Sequence, residues 1–83
     1  DTVLSSKFNI YPNPVNNMLT ITNSENITIK KLTVYDVNGK TIKEQKGSFE
    51  KEHTLNVENL SAGTYILHIK TENGIAVKKV VKK

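Results

Sequence analysis

Apolar and polar residues alternate with a period of two along most of this chain, and no other feature limits its fold so tightly. A strand turns successive side chains to opposite faces, so alternation supplies one face to a core and the other to water. Phe8 and Ile10 form the first such pair, and Leu19 and Ile21 the second. Leu55 and Val57 continue the pattern. Tyr65, Leu67 and Ile69 then alternate, with Ile66, His68 and Lys70 on the other face. No eleven-residue window carries a helical stripe.

The pattern changes phase in two places. Ile27 and Ile29 share one phase, whereas Leu32 and Val34 share the other, so a β-bulge or bend is predicted at Lys30-Lys31. In the last strand, Ile75 to Lys82, Ile75 and Val77 agree with Val81 but not with Val80, and the register stays open. Turn signals separate the strands. Asn38-Gly39 and Asn73-Gly74 tolerate positive φ and predict tight turns; Ile42 is expected to continue the return strand through Glu44, with Gly47-Ser48 closing that hairpin. Seven short strands with turn signals roughly every 8 to 15 residues predict an all-β fold, an immunoglobulin-like antiparallel β-sandwich. Leu60-Ser61-Ala62-Gly63-Thr64-Tyr65 has the spacing of a tyrosine corner, with Gly63 expected to allow close approach and Leu60 to plug the end of the sandwich.

The 83 residues make one domain and contain no cysteine, which rules out disulfides and thiolate metal sites. The chain starts at Asp1 without a methionine, so it is expected to be a piece of a larger protein, with residues 1–7 as a tether from an upstream cargo domain and 8–83 as the domain itself. No apolar run has the roughly 20 residues needed to span a bilayer as a helix. The net charge of +4 comes from twelve lysines and no arginine. Arginine supplies the bidentate fork of phosphate and base recognition, so no nucleic-acid partner is expected.

The chemistry-bearing residues do not form a recognisable catalytic set. His53 and His68 are read as surface histidines, too few for a zinc site. The serines at 5, 6, 24, 48 and 61 fall in turns or in the tether, outside any nucleophile-elbow pattern. Asp36, Glu50, Glu52 and Glu58 are read as a turn residue and solvated strand ends rather than a facing carboxylate pair. Asp36-Val37-Asn38-Gly39 is too poor in acidic oxygens for a calcium loop. The expectation is a protein without enzymatic activity, cofactor or metal. Two segments stand apart. Tyr11-Pro12-Asn13-Pro14 concentrates both prolines beside asparagines, and is predicted to be an extended, weakly paired crossing from one sheet to the other. Lys78-Lys79-Val80-Val81-Lys82-Lys83 is either an edge strand guarded by lysine or a terminal strand read by a receptor.

Four segments, taken in order, resemble a known family. Phe8-Asn9-Ile10-Tyr11-Pro12-Asn13-Pro14-Val15 resembles the opening signature of the C-terminal sorting domains (type A) of the type IX (Por) secretion system. Leu32 to Lys40, with Asp36 and Gly39, is similar to the central hairpin motif of that family, Leu60 to Leu67 to its third motif, and Lys78 to Lys82 to its lysine-rich tail. The resemblance implies a substrate and an address rather than a catalyst. Such a domain follows a cargo that crosses the periplasm, and directs it through an outer-membrane translocon with the help of a β-barrel shuttle protein. A sortase usually cuts the domain off, leaving the cargo on the cell surface or secreted. On this reading the machinery recognises Lys78, Lys79, Val80, Val81, Lys82 and Lys83, with Gly63, Tyr65 and Gly74 holding that strand in register. Pro12, Asn13, Pro14, Asp36 and Gly39 serve the structure. The rival reading is an immunoglobulin-like or fibronectin-like accessory module that binds carbohydrate or spaces other domains. Its aromatic platform would have to come from Tyr11, Tyr35 and Phe49.

Overall fold

In the computed structural model of the chain, residues 7–12, 14–23, 27–49 and 52–83 are described. Their alternating segments form seven strands: β1 (Phe8–Tyr11), β2 (Met18–Asn23), β3 (Ile29–Asp36), β4 (Thr41–Phe49), β5 (Glu52–Asn56), β6 (Gly63–Thr71) and β7 (Gly74–Lys82). One sheet has the order β1-β2-β5 and the other β4-β3-β6-β7, and every strand pairing is antiparallel. This is the all-β immunoglobulin-like sandwich expected from the alternation. Phe8, Leu19, Ile21 and Leu55 from the first sheet and Leu32, Leu67 and Ile69 from the second are at most 1% exposed and share one core. Burying each removes apolar surface from water, a gain of about 1.5–3 kcal/mol per large side chain.

Local chemistry sets the details. The register of β3 shifts between Ile29 and Lys31 against both of its neighbours. That bulge lets Ile29 and Leu32 both face the core, as the phase change at Lys30-Lys31 implies. Gly47-Ser48 does not close a hairpin. Strand β4 runs through it to Phe49, because Ile29 pairs with Phe49 and Lys31 with Lys46. Two residues of β4 thus oppose one of β3, and Gly47 serves a bulge rather than a turn. The connection from β4 to β5 falls at residues 50–51, outside the described residues.

The β3–β4 turn forms where Asn38-Gly39 predicted. Gly39 N donates to Asp36 O and Asp36 N to Lys40 O, each at 3.0 Å, with Gly39 at φ 85°. Asp36 Oδ1 accepts from the amides of Asn38 and Lys40, both at 2.9 Å. The β6–β7 turn is displaced by one residue from its signal. Glu72 and Asn73 connect the strands, and Gly74 already pairs with Thr71. Asn73 N donates to Thr71 Oγ1 at 3.0 Å, which donates in turn to Gly74 O at 2.9 Å.

The tyrosine corner is present, with the Tyr65 hydroxyl donating to Ser61 O at 2.7 Å and Leu60 packed against the core. Gly63 plays a different part from the one expected. A Cβ built there would meet nothing within 4 Å, so close approach does not require glycine, whereas a φ of +153° favours it. His53 also departs from its surface reading. It lies opposite Ile21 in the β2–β5 register, and its Nε2 stands 3.0 Å from Gln45 Oε1 of the other sheet. The edges of the two sheets thus meet through this pair.

Two outcomes follow. Replacing Tyr65 with phenylalanine removes one hydrogen bond and is expected to cost about 1 kcal/mol in denaturant melts, with the fold retained. Desolvation holds the His53 imidazole below its ordinary value of about 6.5. The unfolded chain therefore takes up this proton at a higher pH than the folded one, and stability falls as pH drops through 6.5. Melting temperatures measured between pH 7.5 and pH 5 should decline, and His53→Gln should flatten that decline.

Candidate functional site

Strand β7 reads Gly-Ile-Ala-Val-Lys-Lys-Val-Val-Lys, and its register settles the phase that the sequence left open. Ala76 and Val80 pair with Ile69 and Tyr65 and are buried at 0% and 2% exposure. Ile75, Val77 and Val81 take the opposite face, beside Lys70, His68 and Thr64. The strand carries apolar side chains on both faces, so its alternation could not indicate which one is inward. Lys79 and Lys83 are exposed, and Lys78 and Lys82 half-buried. A lysine can hold such a position when its stem lies along apolar surface and its ammonium reaches water.

The strand order places β7 at one end of the four-stranded sheet. Its final residues are secured from the other sheet's side of the molecule. After β1 the chain passes through a cis Tyr11–Pro12 bond and the exposed Pro12 and Pro14 to Val15. Val15 forms an isolated parallel bridge with Lys82. Its amide donates to Val81 O at 2.8 Å, and its carbonyl accepts from Lys83 N at 2.9 Å. Its side chain is fully buried in the shared core. The chain then returns to the first sheet as β2. The proline segment is therefore a crossing between sheets, and Val15 is its point of contact. Proline suits the approach because it needs no ladder donor and presets φ. Asn13 lies outside the described residues.

The fold brings together most of the residues singled out from the sequence. Gly63 lies opposite Lys82, and Tyr65 opposite Val80 on one side and Asp36 on the other. Asp36, Tyr65 and Val80 form one row across the sheet, with Val15 beside the end of β7. Gly74 is not part of this cluster, since it starts the strand about 25 Å away from Lys82. Gly39 sits in the β3–β4 turn and contributes only conformation there. Val15 was missed as a site residue. Its signal was present, as a lone valine after two prolines that belongs to no alternating pair.

No group of three or more His, Asp or Glu side chains that could hold a metal occurs among the described residues. The Asp36 carboxylate is engaged by two backbone amides, which fits a turn residue. Tyr11 and Tyr35 belong to different sheets, so they cannot share one carbohydrate platform. The side chain of Phe49 lies outside the described residues.

Truncating Val15 to alanine tests the clasp. The variant should lose about 2 kcal/mol. Amide exchange at Lys83 should quicken by more than the global loss of stability explains. Exchange at Lys83 that merely follows global unfolding in both proteins would show that Val15 packs but does not clasp.

No curated protein matches the chain in sequence. The family of secretion system C-terminal sorting domains matches residues 9–83, from β1 through the Val15 crossing and the tyrosine corner to the end of β7. With the sandwich, the four motifs and the match covering nearly the whole chain, this protein belongs to the secretion system C-terminal sorting domain family, the sorting domains of type IX secretion.

Proposed function

We propose that the domain carries an upstream cargo from the periplasm across the outer membrane through the type IX translocon. A β-barrel shuttle protein engages the end of β7, and a sortase then separates domain from cargo, which ends on the cell surface or in the medium. The family match over residues 9–83 is the observation that carries this reading. The geometry supports it in three ways. The lysines of β7 cluster on a strand at the end of its sheet. Gly63 and Tyr65 pair with the last residues of that strand and hold it in register. Val15 fixes the same residues from the other side, so the last residues of β7 are presented in one conformation.

The position of Val80 bears on how this is tested. Deleting Lys79 to Lys83 is the most direct way to remove the end of β7. Val80 is 2% exposed, however, and Val81 and Lys83 hold Val15, so the deletion would open the core and release the clasp. A cleaner probe changes charge alone. Residues 1–83 fused behind a periplasmic fluorescent reporter, in a bacterium with type IX machinery, should deliver signal to the surface or medium. The K82E/K83E fusion, melting within a few degrees of the parent, should stay in the periplasm. Equal export of both would move recognition away from the end of β7. Retention of both would overturn the sorting reading in favour of an accessory module.

A further inference from the structure

The two outer faces of the sandwich differ in chemistry. On the three-stranded sheet the register sets Tyr11, Thr20 and Thr54 in one row, Asn9, Thr22 and Glu52 in a second, and Met18 beside Asn56. Those rows consist mostly of hydroxyls and amides and contain no lysine among the described residues. On the four-stranded sheet the rows are Tyr35, Ile66 and Lys79; then Glu44, Thr33, His68 and Val77; then Lys46, Lys31, Lys70 and Ile75. Its centre is apolar and its margin basic. Among the described residues of these rows, four lysines stand against the single Glu44, which lies 3.8 Å from Lys31 and 4.0 Å from Lys46.

The centre of this second face is organised. The rings of Tyr35 and His68 meet edge to face, with centroids 4.6 Å apart and planes at 62°. Thr33, opposite His68 in the same row, is only 3% exposed although it points away from the core. Val37 projects from the β3–β4 turn at 71% exposure, the highest of the large apolar residues among those described. With Tyr35, Ile66 and His68 it borders an open depression of about 320 Å³. The Asp36 carboxylate, bonded to two amides of the same turn, holds Val37 in place. A prearranged apolar anchor beside an aromatic pair loses little conformational freedom on binding, which is how interface hot spots are built.

We propose that this face is a second docking surface for the export machinery, and that its occupant is a folded protein surface presenting an apolar side chain ringed by carboxylates. The inference rests on the sorting reading and adds a site to it, separate from the end of β7. Charge selects the occupant. The lysine margin attracts an acidic rim and steers its approach. It repels a second copy of the same face, since lysine would meet lysine. Without arginine it lacks the fork that grips phosphate. Val37 and Ile66 enter the apolar centre of the partner, and Lys70 and Lys79 meet its carboxylates.

The test uses the reporter fusion with matched charge changes on the two faces. V37E/K70Q lowers the net charge of the proposed surface by two units, and N9E/T54E lowers that of the opposite face by the same two units. Both pairs include positions exposed to solvent, so melting temperatures should stay near that of the parent. V37T, which deletes the apolar anchor without adding charge, guards against a folding defect. Export should fall about tenfold for V37E/K70Q and measurably for V37T, and be unchanged for N9E/T54E. Export of V37E/K70Q at the parent level would overturn the docking surface while leaving the sorting reading intact. Equal loss from both faces would overturn it as well, because the effect would then be one of net charge. If the parent fusion itself is retained, the sorting reading fails and this inference fails with it. Glycan binding by the purified domain that V37E/K70Q abolishes without affecting export would assign the face to carbohydrate and overturn the proposal.

Discussion

Burial of branched aliphatic side chains between two facing sheets holds this domain together, with no disulfide to assist. Each strand gives every second residue to that layer, and the layer closes only if all seven strands keep their phase. The bulge in β3 is therefore a requirement. Without it either Ile27 and Ile29 or Leu32 and Val34 would face water, at a cost of several kcal/mol. Gly47 on β4 answers the same bulge from the partner strand, which explains why glycine stands inside a strand there.

Closing the core leaves the ends of the sheets to be managed. Strand β7 is the last of its sheet, and its sequence is apolar on both faces, a combination that invites pairing with other chains. Lysine counters this along the strand. At its end Val15 supplies backbone partners to Val81 and Lys83 while burying its own side chain. One residue thus joins the core to the sheet end, and it links the first family motif to the last. On the proposed reading of the end of β7, such rigidity has a physical advantage, because a strand already held in one conformation loses little entropy on recognition.

The outer faces show where the alternation rule stops being informative. A sandwich needs only its inner faces to be apolar. The Thr and Asn side chains of the three-stranded sheet follow that rule, whereas Tyr35, Ile66, His68 and Val77 on the other sheet depart from it. The departure obscured the phase of β7 and marks the surface where the fold has apolar area left over from its own core.

Much of this was legible in the residues. Period-two alternation depends only on strand geometry, so the seven strands, the all-β class and the bulge at Lys30-Lys31 follow from local order. Asn38-Gly39 and the Leu60 to Tyr65 spacing are likewise local, and both mark features that are present. The failures share one cause. Gly47, Gly63 and His53 were assigned by residue type, but their roles depend on what the chain places opposite them: a bulge partner on β3, an open space at a strand start, and Gln45 across the sheet gap. Val15 is the plainest case. Its neighbours in sequence mark it only as a residue after two prolines, whereas its partners lie more than sixty positions away, at Val81 and Lys83. The sequence by itself determined the all-β class, most of the strands, the β3–β4 turn and the family. Only the tertiary structure decided which face of β7 is inward, what holds its end, and which outer face is apolar. Pairing between distant strands sets those properties, and local periodicity carries no information about it.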